Sequence, residues 1–256
     1  MNATKITAII PTWNEECCLG EAIQSVSFAD EILVVDSHST DQTVSIASQF
    51  NAKIIQRKFD DFSTQKNFAI SQAKHDWILF IDADERVSEE LRQEIIRKAQ
   101  KNRGEVAFYV YRNFFFRNRR IRFGGWQTDK AIRLFDRRYC QYDGKLVHET
   151  IETKGPVGFM ENRLDHFSYR SRDHYAAKLE NYAALQAEEL YRQNKKFHVF
   201  FIAIKPPFRF FVHYFVRLGF LDGTAGLRLA YENARGVYKR YVYLRRRYRQ
   251  DQEKGS

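Results

Sequence analysis

Two aspartates spaced one residue apart, Asp82 and Asp84, close the apolar run Trp77 to Ile81 in "WILFIDADE". Carboxylates at the mouth of a strand suit a hard divalent cation, Mg²⁺ or Mn²⁺, which favours oxygen ligands and bridges carboxylates to substrate phosphates. The competing reading is local: the aspartates start a turn and cap the helix that begins near Ser88. The pair alone does not choose between them.

The elements that would position these aspartates are legible in the first hundred residues. "ITAIIP" (6–11), "EILVVD" (31–36), "AKIIQR" (52–57) and "WILFID" (77–82) are short apolar runs of strand length. They alternate with helical spacing over 19–27, 40–50, 62–72 and 88–101. Near-continuous apolar strands separated by helices predict an α/β fold, a parallel sheet with helices on both faces. Ligands of such sheets bind beyond the carboxyl ends of the strands. Polar residues collect there: Pro11, Thr12, Asn14 and Glu15 after the first strand, Asp36, Ser37 and Asp41 around the second, Asp82 and Asp84 after the fourth. From Gly104 the pattern changes to strand-like alternation in "VAFYVYRNFFF", "RRIRFGGW", "KAIRLFD" and "KLVHETIE", expected to extend the same sheet in antiparallel fashion. A helix is expected from Arg172 to Gln193. The aspartate pair of a haloacid-dehalogenase-like phosphatase fits poorly. It follows a first strand and has Thr or Val two residues after its second Asp, where this chain has Arg86.

"IIPTWNEE", "VVDSHSTDQT" and "FIDADE", in that order and each at a strand end, resemble the inverting family 2 glycosyltransferases of the GT-A fold, a Rossmann-like mixed sheet. The resemblance implies that Pro11, Thr12, Asn14, Glu15, Asp36 and Ser37 line the nucleotide half of the site, with Asp36 meeting the uracil or ribose. It places Lys66 and Asn67 on a helix facing the donor, Lys66 towards a phosphate. Asp84 becomes the metal ligand, Asp82 a ribose or metal contact, and Ala83 a small residue leaving room for the donor. Many members have Gly where this chain has His38, a position that then needs a residue tolerant of left-handed backbone.

The second half narrows the resemblance. "FGGWQTDKAIRLFDRR", "LVHETIE", "LDHFSY" and "RLGFLDGTAGLRLA" look like the branch containing lipopolysaccharide inner-core glucosyltransferases, which implies UDP-glucose as donor and a core heptose as acceptor. An inverting transfer needs a base for the acceptor hydroxyl proton; Glu149 in "VHET" is the first choice, with His148 assisting or orienting and Asp129 as the alternative. His166 is expected to join Asp84 in holding Mn²⁺ or Mg²⁺, and Arg133 to contact a phosphate or pair with a carboxylate.

Composition bounds the rest. At 44% hydrophobic and 15% aromatic over 256 residues, the chain is globular. Three cysteines, two of them adjacent, make neither a disulfide framework nor a zinc spacing, which points to a reducing, cytosolic compartment. The N-terminus has no signal-peptide pattern. Charge is uneven: residues 192–256 hold 15 Lys+Arg and 4 Asp+Glu, a balance of +11, against 27 and 28 in residues 1–191, a balance of −1. Within that tail, residues 197–220 carry nine Phe or Tyr, interrupted by Lys205, Pro206, Pro207 and Arg209. The interruptions argue against a spanning helix and for two short amphipathic pieces lying in a membrane interface. The expected organisation is therefore a catalytic domain over 1–193 and a membrane-associating region over 194–256. The enzyme is expected at the cytoplasmic face of the inner membrane. A single-stranded nucleic-acid-binding tail is the alternative from another class, and no RNA-binding signature supports it.

Overall fold

The computed structural model describes residues 4–101, 104–116, 119–144, 150–169, 172–195 and 197–254. The chain divides into two compact units, Met1–Asn113 with Thr128–His166, and Phe114–Gln127 with Phe167–Ser256.

The first unit is built on β1 (Ile6–Thr12), β2 (Glu31–Asp36), β3 (Lys53–Gln56) and β4 (Trp77–Phe80), all parallel, in the order β3-β2-β1-β4. Helices α1 (Leu19–Ser25), α2 (Thr43–Gln49) and α3 (Phe62–Ser71) connect them. β1 shows why the sheet is buried on both sides. Ile6, Ala8 and Ile10 pack with Leu19, Ala22 and Ile23 of α1 on one face, while Ile9 packs with Ala69 and Ile70 of α3 on the other. The strand order reverses between β1 and β4, the place where such sheets open a crevice.

After β4 the two-residue strand β5 (Glu85–Arg86) leads into α4 (Glu89–Gln100). Ser88 caps α4, its hydroxyl accepting from Leu91 N at 3.3 Å, and Leu91, Ile95 and Ala99 join the α1 side of the core. Short β7 (Arg119–Ile121) pairs antiparallel with the end of long β6 (Ala107–Phe116); β8 (Lys130–Asp136) pairs antiparallel with both β4 and β6 and makes the sheet mixed. β9 (Cys140–Tyr142) and β10 (Ile151–Thr153) form a separate ribbon, β11 (Val157–Phe159) pairs parallel with β6, and β12 (Leu164–Tyr169) returns antiparallel to β5.

The second unit holds α5 (Arg172–Arg192), α6 (Val199–Phe211) and α7 (Gly223–Lys254). Ala187 of α5 packs with Tyr241 and Leu244 of α7, and Phe201 and Ile202 of α6 pack against them. The boundary read from sequence at 193/194 falls inside this unit because α5 lies along α7. Pro206 and Pro207 do not split the tail into two pieces. Both sit inside α6, which runs on through a π-turn at 212–216. The motif "RLGFLDGTAG" has a mechanical role here. Asp222, 5% exposed, accepts from Arg122 N at 3.1 Å and Phe123 N at 2.8 Å, and Gly124 N donates to Arg217 O at 2.8 Å, so 217–222 grips the "FGGW" loop. Gly226 must lack a side chain, since a Cβ there would lie 1.8 Å from Gly219 O.

Candidate active site

The β1 and β2 loops are latched together by side chains reaching the neighbouring backbone. Asn14, in a left-handed conformation (φ 55°), donates its N–H to Ser39 Oγ at 2.8 Å, and its Oδ1 accepts from Thr40 N at 2.8 Å. Glu15 N donates to Thr43 Oγ1 at 2.8 Å, and Glu16 N to Asp41 Oδ2 at 3.1 Å. Burial raises the Asp41 pKa, but the bonds from Thr43 and Glu16 outweigh it and hold the carboxyl below its ordinary value. Asp41 thus orders the start of α2. His38 is left-handed (φ 58°), as a position often filled by Gly requires.

Asp36 is fully buried at the end of β2. Its oxygens accept from Ser39 N at 3.0 Å, Ser39 Oγ at 2.5 Å, Gln56 Nε2 at 3.2 Å and, at 3.4 Å, Thr12 Oγ1. The β1–β2 register, Thr12 opposite Asp36, produces that last contact. Ser37 N donates to Thr12 O at 2.9 Å, and Ser37 Oγ accepts from Gln65 Nε2 at 3.1 Å. Pro11 and Thr12 therefore stand beside Asp36 and Ser37. Asp36 is occupied with holding Ser39 in the loop that follows β2.

At the end of β4 the chain turns tightly. Glu85 N donates to Asp82 O and Asp82 N to Glu85 Oε2, each at 3.0 Å. Ala83 points into the core beside Val87 and Leu91. Glu85, fully buried, is the centre of a charge network that the sequence reading did not single out. Arg133 Nη2, on β8, reaches Glu85 Oε1 at 2.6 Å and Asp82 Oδ2 at 2.5 Å. Arg112 Nη1, on β6, adds 3.2 Å to Glu85 Oε1, and its Nε and Nη2 bind both oxygens of Asp129 at 2.9 Å. Arg133 is 4% exposed; of its two expected roles, the structure displays the carboxylate pairing. Burial alone would raise the Asp82 pKa. The charges of Arg133, Lys66 and Arg112 reverse that and hold the carboxyl well below the usual carboxylate range. The bidentate grip on Asp129 makes it an anchor for Arg112. The missed signal was an arginine at an inward position of the apolar strand "KAIRLFD", which a buried cation occupies only if acids surround it.

Asp84 and His166 come together from 82 residues apart in sequence because β12 pairs with β5 in the register His166 opposite Glu85. His166 Nε2 lies 3.4 Å from Asp84 Oδ2, and both residues are under 10% exposed. The approach to β12 is fixed by Glu94 of α4, 1% exposed, which accepts from Glu161 N at 2.8 Å and Asn162 N at 2.9 Å. Asn113 Nδ2 donates to Asp165 Oδ1 at 2.8 Å and holds the strand from the other side. Ligand bonds of about 2.1 Å at right angles put two donor atoms ~3.0 Å apart. A carboxylate oxygen and an imidazole nitrogen at 3.4 Å therefore fit one octahedral cation with a small adjustment.

Lys66 of α3 lies 5.0 Å from the Tyr142 ring centroid and 5.7 Å from that of Phe80. Asn67 turns to the backbone of Tyr142, donating to its O at 3.0 Å and accepting from its N at 2.9 Å. It clamps β9, the strand of the ribbon that precedes 145–149. His148 and Glu149 themselves lie outside the described residues.

A parallel half-sheet ending in an Asp-Ala-Asp turn, extended by antiparallel strands that return a histidine to that turn, is the GT-A arrangement of sugar-nucleotide transferases. The chain belongs to glycosyl transferase family 2, whose model matches residues 7–153. It is 32% identical over 234 residues to an uncharacterized glycosyltransferase of Rickettsia felis, covering 87% of this chain and 83% of that one. It is 27% identical over 251 residues to the lipopolysaccharide core biosynthesis glycosyltransferase LpsC of Rhizobium meliloti, covering 93% of each. The solved structure of S. aureus TarS 1–349 in complex with UDP-GlcNAc is similar over 44% of this chain and 35% of its own, at 25% identity and a TM-score of 0.39.

Proposed function

We propose that this glycosyltransferase moves a hexose, glucose from UDP-glucose, with inversion onto a heptose of the lipopolysaccharide inner core. The observation that carries the donor half is the Asp84–His166 pair, set beside the Asp82–Arg133–Glu85 network, in which Arg133 and Glu85 are buried. The likeness to LpsC along 93% of both chains supports the acceptor class. A divalent cation bound by Asp84 and His166 would neutralise charge on the leaving diphosphate. Arg133, Glu85 and Arg112 fix Asp82 and the turn that presents Asp84. Asn14 and Glu15, latched to the β2 loop, with Pro11, Thr12 and Ser37, form the wall for the nucleotide. Lys66 brings its charge to the Asp82 side of the site, where a phosphate would meet it. Glu149 takes the acceptor proton, with His148 as its neighbour; this role rests on the sequence resemblance.

The second unit suits attachment to the membrane that carries such an acceptor. Phe200, Ile204, Phe208, Phe211 and Phe215 recur at intervals of four, four, three and four residues and are 49–69% exposed, an apolar stripe along one side of α6. Residues 199–216 have a mean hydropathy of 1.3 and are 11% buried, apolar enough by length and composition to cross a membrane. The other side of α6 is engaged: Lys205 Nζ donates to Tyr241 Oη at 2.6 Å and stands 3.9 Å over the Phe201 ring. α7, which it packs on, carries ion pairs such as Lys239–Glu180 and Arg247–Glu188. A helix tied to so charged a partner lies in the interface with its stripe inserted, instead of spanning.

The decisive experiment is UDP release from UDP-glucose with a deacylated core oligosaccharide, with Mn²⁺, Mg²⁺ or chelator. Turnover that needs the cation and is lost in Asp84→Asn and His166→Ala supports the reading. Full turnover in chelator removes the cation, and turnover with no UDP-sugar tested removes the reading altogether.

A further inference from the structure

The turn after β1 brings Glu15 together with two cysteines that the transferase reading does not use. Cys18 N and Leu19 N both donate to Glu15 O at 2.9 Å, folding residue 15 back over the two cysteines that follow. Cys17 Sγ and Cys18 Sγ stand 3.3 Å apart, and one carboxylate oxygen of Glu15 and both sulfurs all lie within 4.8 Å of one another. Cys17 is exposed and Cys18 is 4% exposed, so the cluster has one sulfur open to solvent and one set into the core.

The surroundings keep this turn in place. Arg86 Nη2 donates to Cys18 O at 2.7 Å and pairs with Glu21 at 3.2 Å. The neighbouring Glu16 carboxylate turns away to accept from Gln42 N at 3.0 Å. Cys140, the remaining cysteine, differs in kind: burial, with Asp136 adding to it, pushes its thiol up to about 12, which keeps it protonated and inert.

We propose that Glu15, Cys17 and Cys18 form a binding site for a thiophilic cation, Zn²⁺ or Cd²⁺, distinct from the hard-cation pair Asp84 and His166. Two thiolates and one carboxylate select a soft or borderline ion over Mg²⁺. With sulfur bonds of about 2.3 Å, a tetrahedral ion sets its sulfurs ~3.8 Å apart. The sulfur pair therefore has to open by only about half an ångström, a side-chain rotation at exposed Cys17. Each thiol gives up its proton as its sulfur binds, so two protons leave per ion and affinity rises with pH. Three protein ligands leave the fourth position to water, the arrangement of an open, exchangeable site. Glu15 is shared with the nucleotide wall. Resting on the function proposed above, an ion here weakens UDP binding, and UDP weakens the ion to the same degree.

The test uses the full chain, titrated with Cd²⁺ without nucleotide and followed by the ultraviolet sulfur-to-cadmium charge-transfer band. The expected result is one ion per chain with release of two protons, the band lost in Cys17→Ser and Cys18→Ser and kept in Cys140→Ser. Absence of the band, or a band that survives both Cys17→Ser and Cys18→Ser, overturns the site while leaving the transferase reading untouched. UDP affinity in Mg²⁺ buffer should fall at least tenfold in the Cd²⁺-loaded parent and stay unchanged in Cys17→Ser; equal affinity in the loaded and unloaded parent overturns the coupling. Failure to bind UDP without Cd²⁺ counts against the transferase reading alone.

Discussion

Replacing Arg133 with methionine removes the guanidinium that serves two carboxylates at once. In the parent, its Nη2 lies 2.5 Å from Asp82 and 2.6 Å from Glu85, and Glu85 has no exposed surface. Removing one partner of a buried pair costs about 3–5 kcal/mol, because the other charge stays buried. Arg112 remains 3.2 Å from Glu85 and retains part of the compensation, so the expected loss is at the lower end, about 3 kcal/mol. At ~2–4 °C per kcal/mol for a chain of this size, the thermal midpoint should fall by about 6–12 °C at pH 7. Arg133→Lys keeps the charge without the planar fork and should fall between parent and methionine. The pH dependence gives an independent check. Asp82 is held below its ordinary pKa in the folded chain, chiefly by Arg133 working against burial, so its stabilising contribution is present above the unfolded value near ~3.9 and is lost as pH falls towards the folded value. The gap between parent and variant should hold steady from about pH 5 to 8 and narrow below about pH 4. Differential scanning fluorimetry across that range measures both. A midpoint within about 2 °C of the parent at pH 7 would refute the claim that this network carries the turn.

Glu94→Ala strips the acceptor from Glu161 N and Asn162 N at a residue 1% exposed, and should cost about 3 kcal/mol in urea unfolding while loosening the strand that returns His166. Gly226→Ala forces a Cβ to within 1.8 Å of Gly219 O, so its second unit should lose at least ~2 kcal/mol or fail to accumulate as soluble protein, read by expression and thermal midpoint. Ile204→Glu with Phe208→Glu places two charges on the exposed stripe of α6 and should abolish sedimentation with anionic vesicles at an unchanged midpoint; equal partitioning would count against the interfacial helix. Glu149→Gln should lower turnover by about 10²–10⁴-fold with UDP affinity retained, measured by UDP release and calorimetry.

The first unit was legible because its signal is local. Strand and helix periods place β1 to β4 and α1 to α4 to within a few residues, and polar strand ends mark the crevice edge. The tail was less legible. Pro206 and Pro207 read as breaks, yet α6 runs through them, since packing of Phe201 and Ile202 on α7 compensates for lost backbone bonds. Asn67 shows the same limit: its place on α3 suggested the donor, but the approach of β9 gives its amide to Tyr142.

The sequence by itself determined the parallel half-sheet, the order of the strand-end motifs, the family resemblance and the concentration of charge in the last quarter of the chain. Each of these depends on composition or on spacing within a few turns of chain. Only the tertiary structure decided which charges neutralise which. Asp82, Glu85, Arg112, Asp129 and Arg133 come from three separate stretches, and the strand registers of β4, β6 and β8 set their contacts. The same holds for Asp84 and His166, which meet through the pairing of β12 with β5. Registers are fixed by burying both faces of the sheet together, a condition no single segment contains.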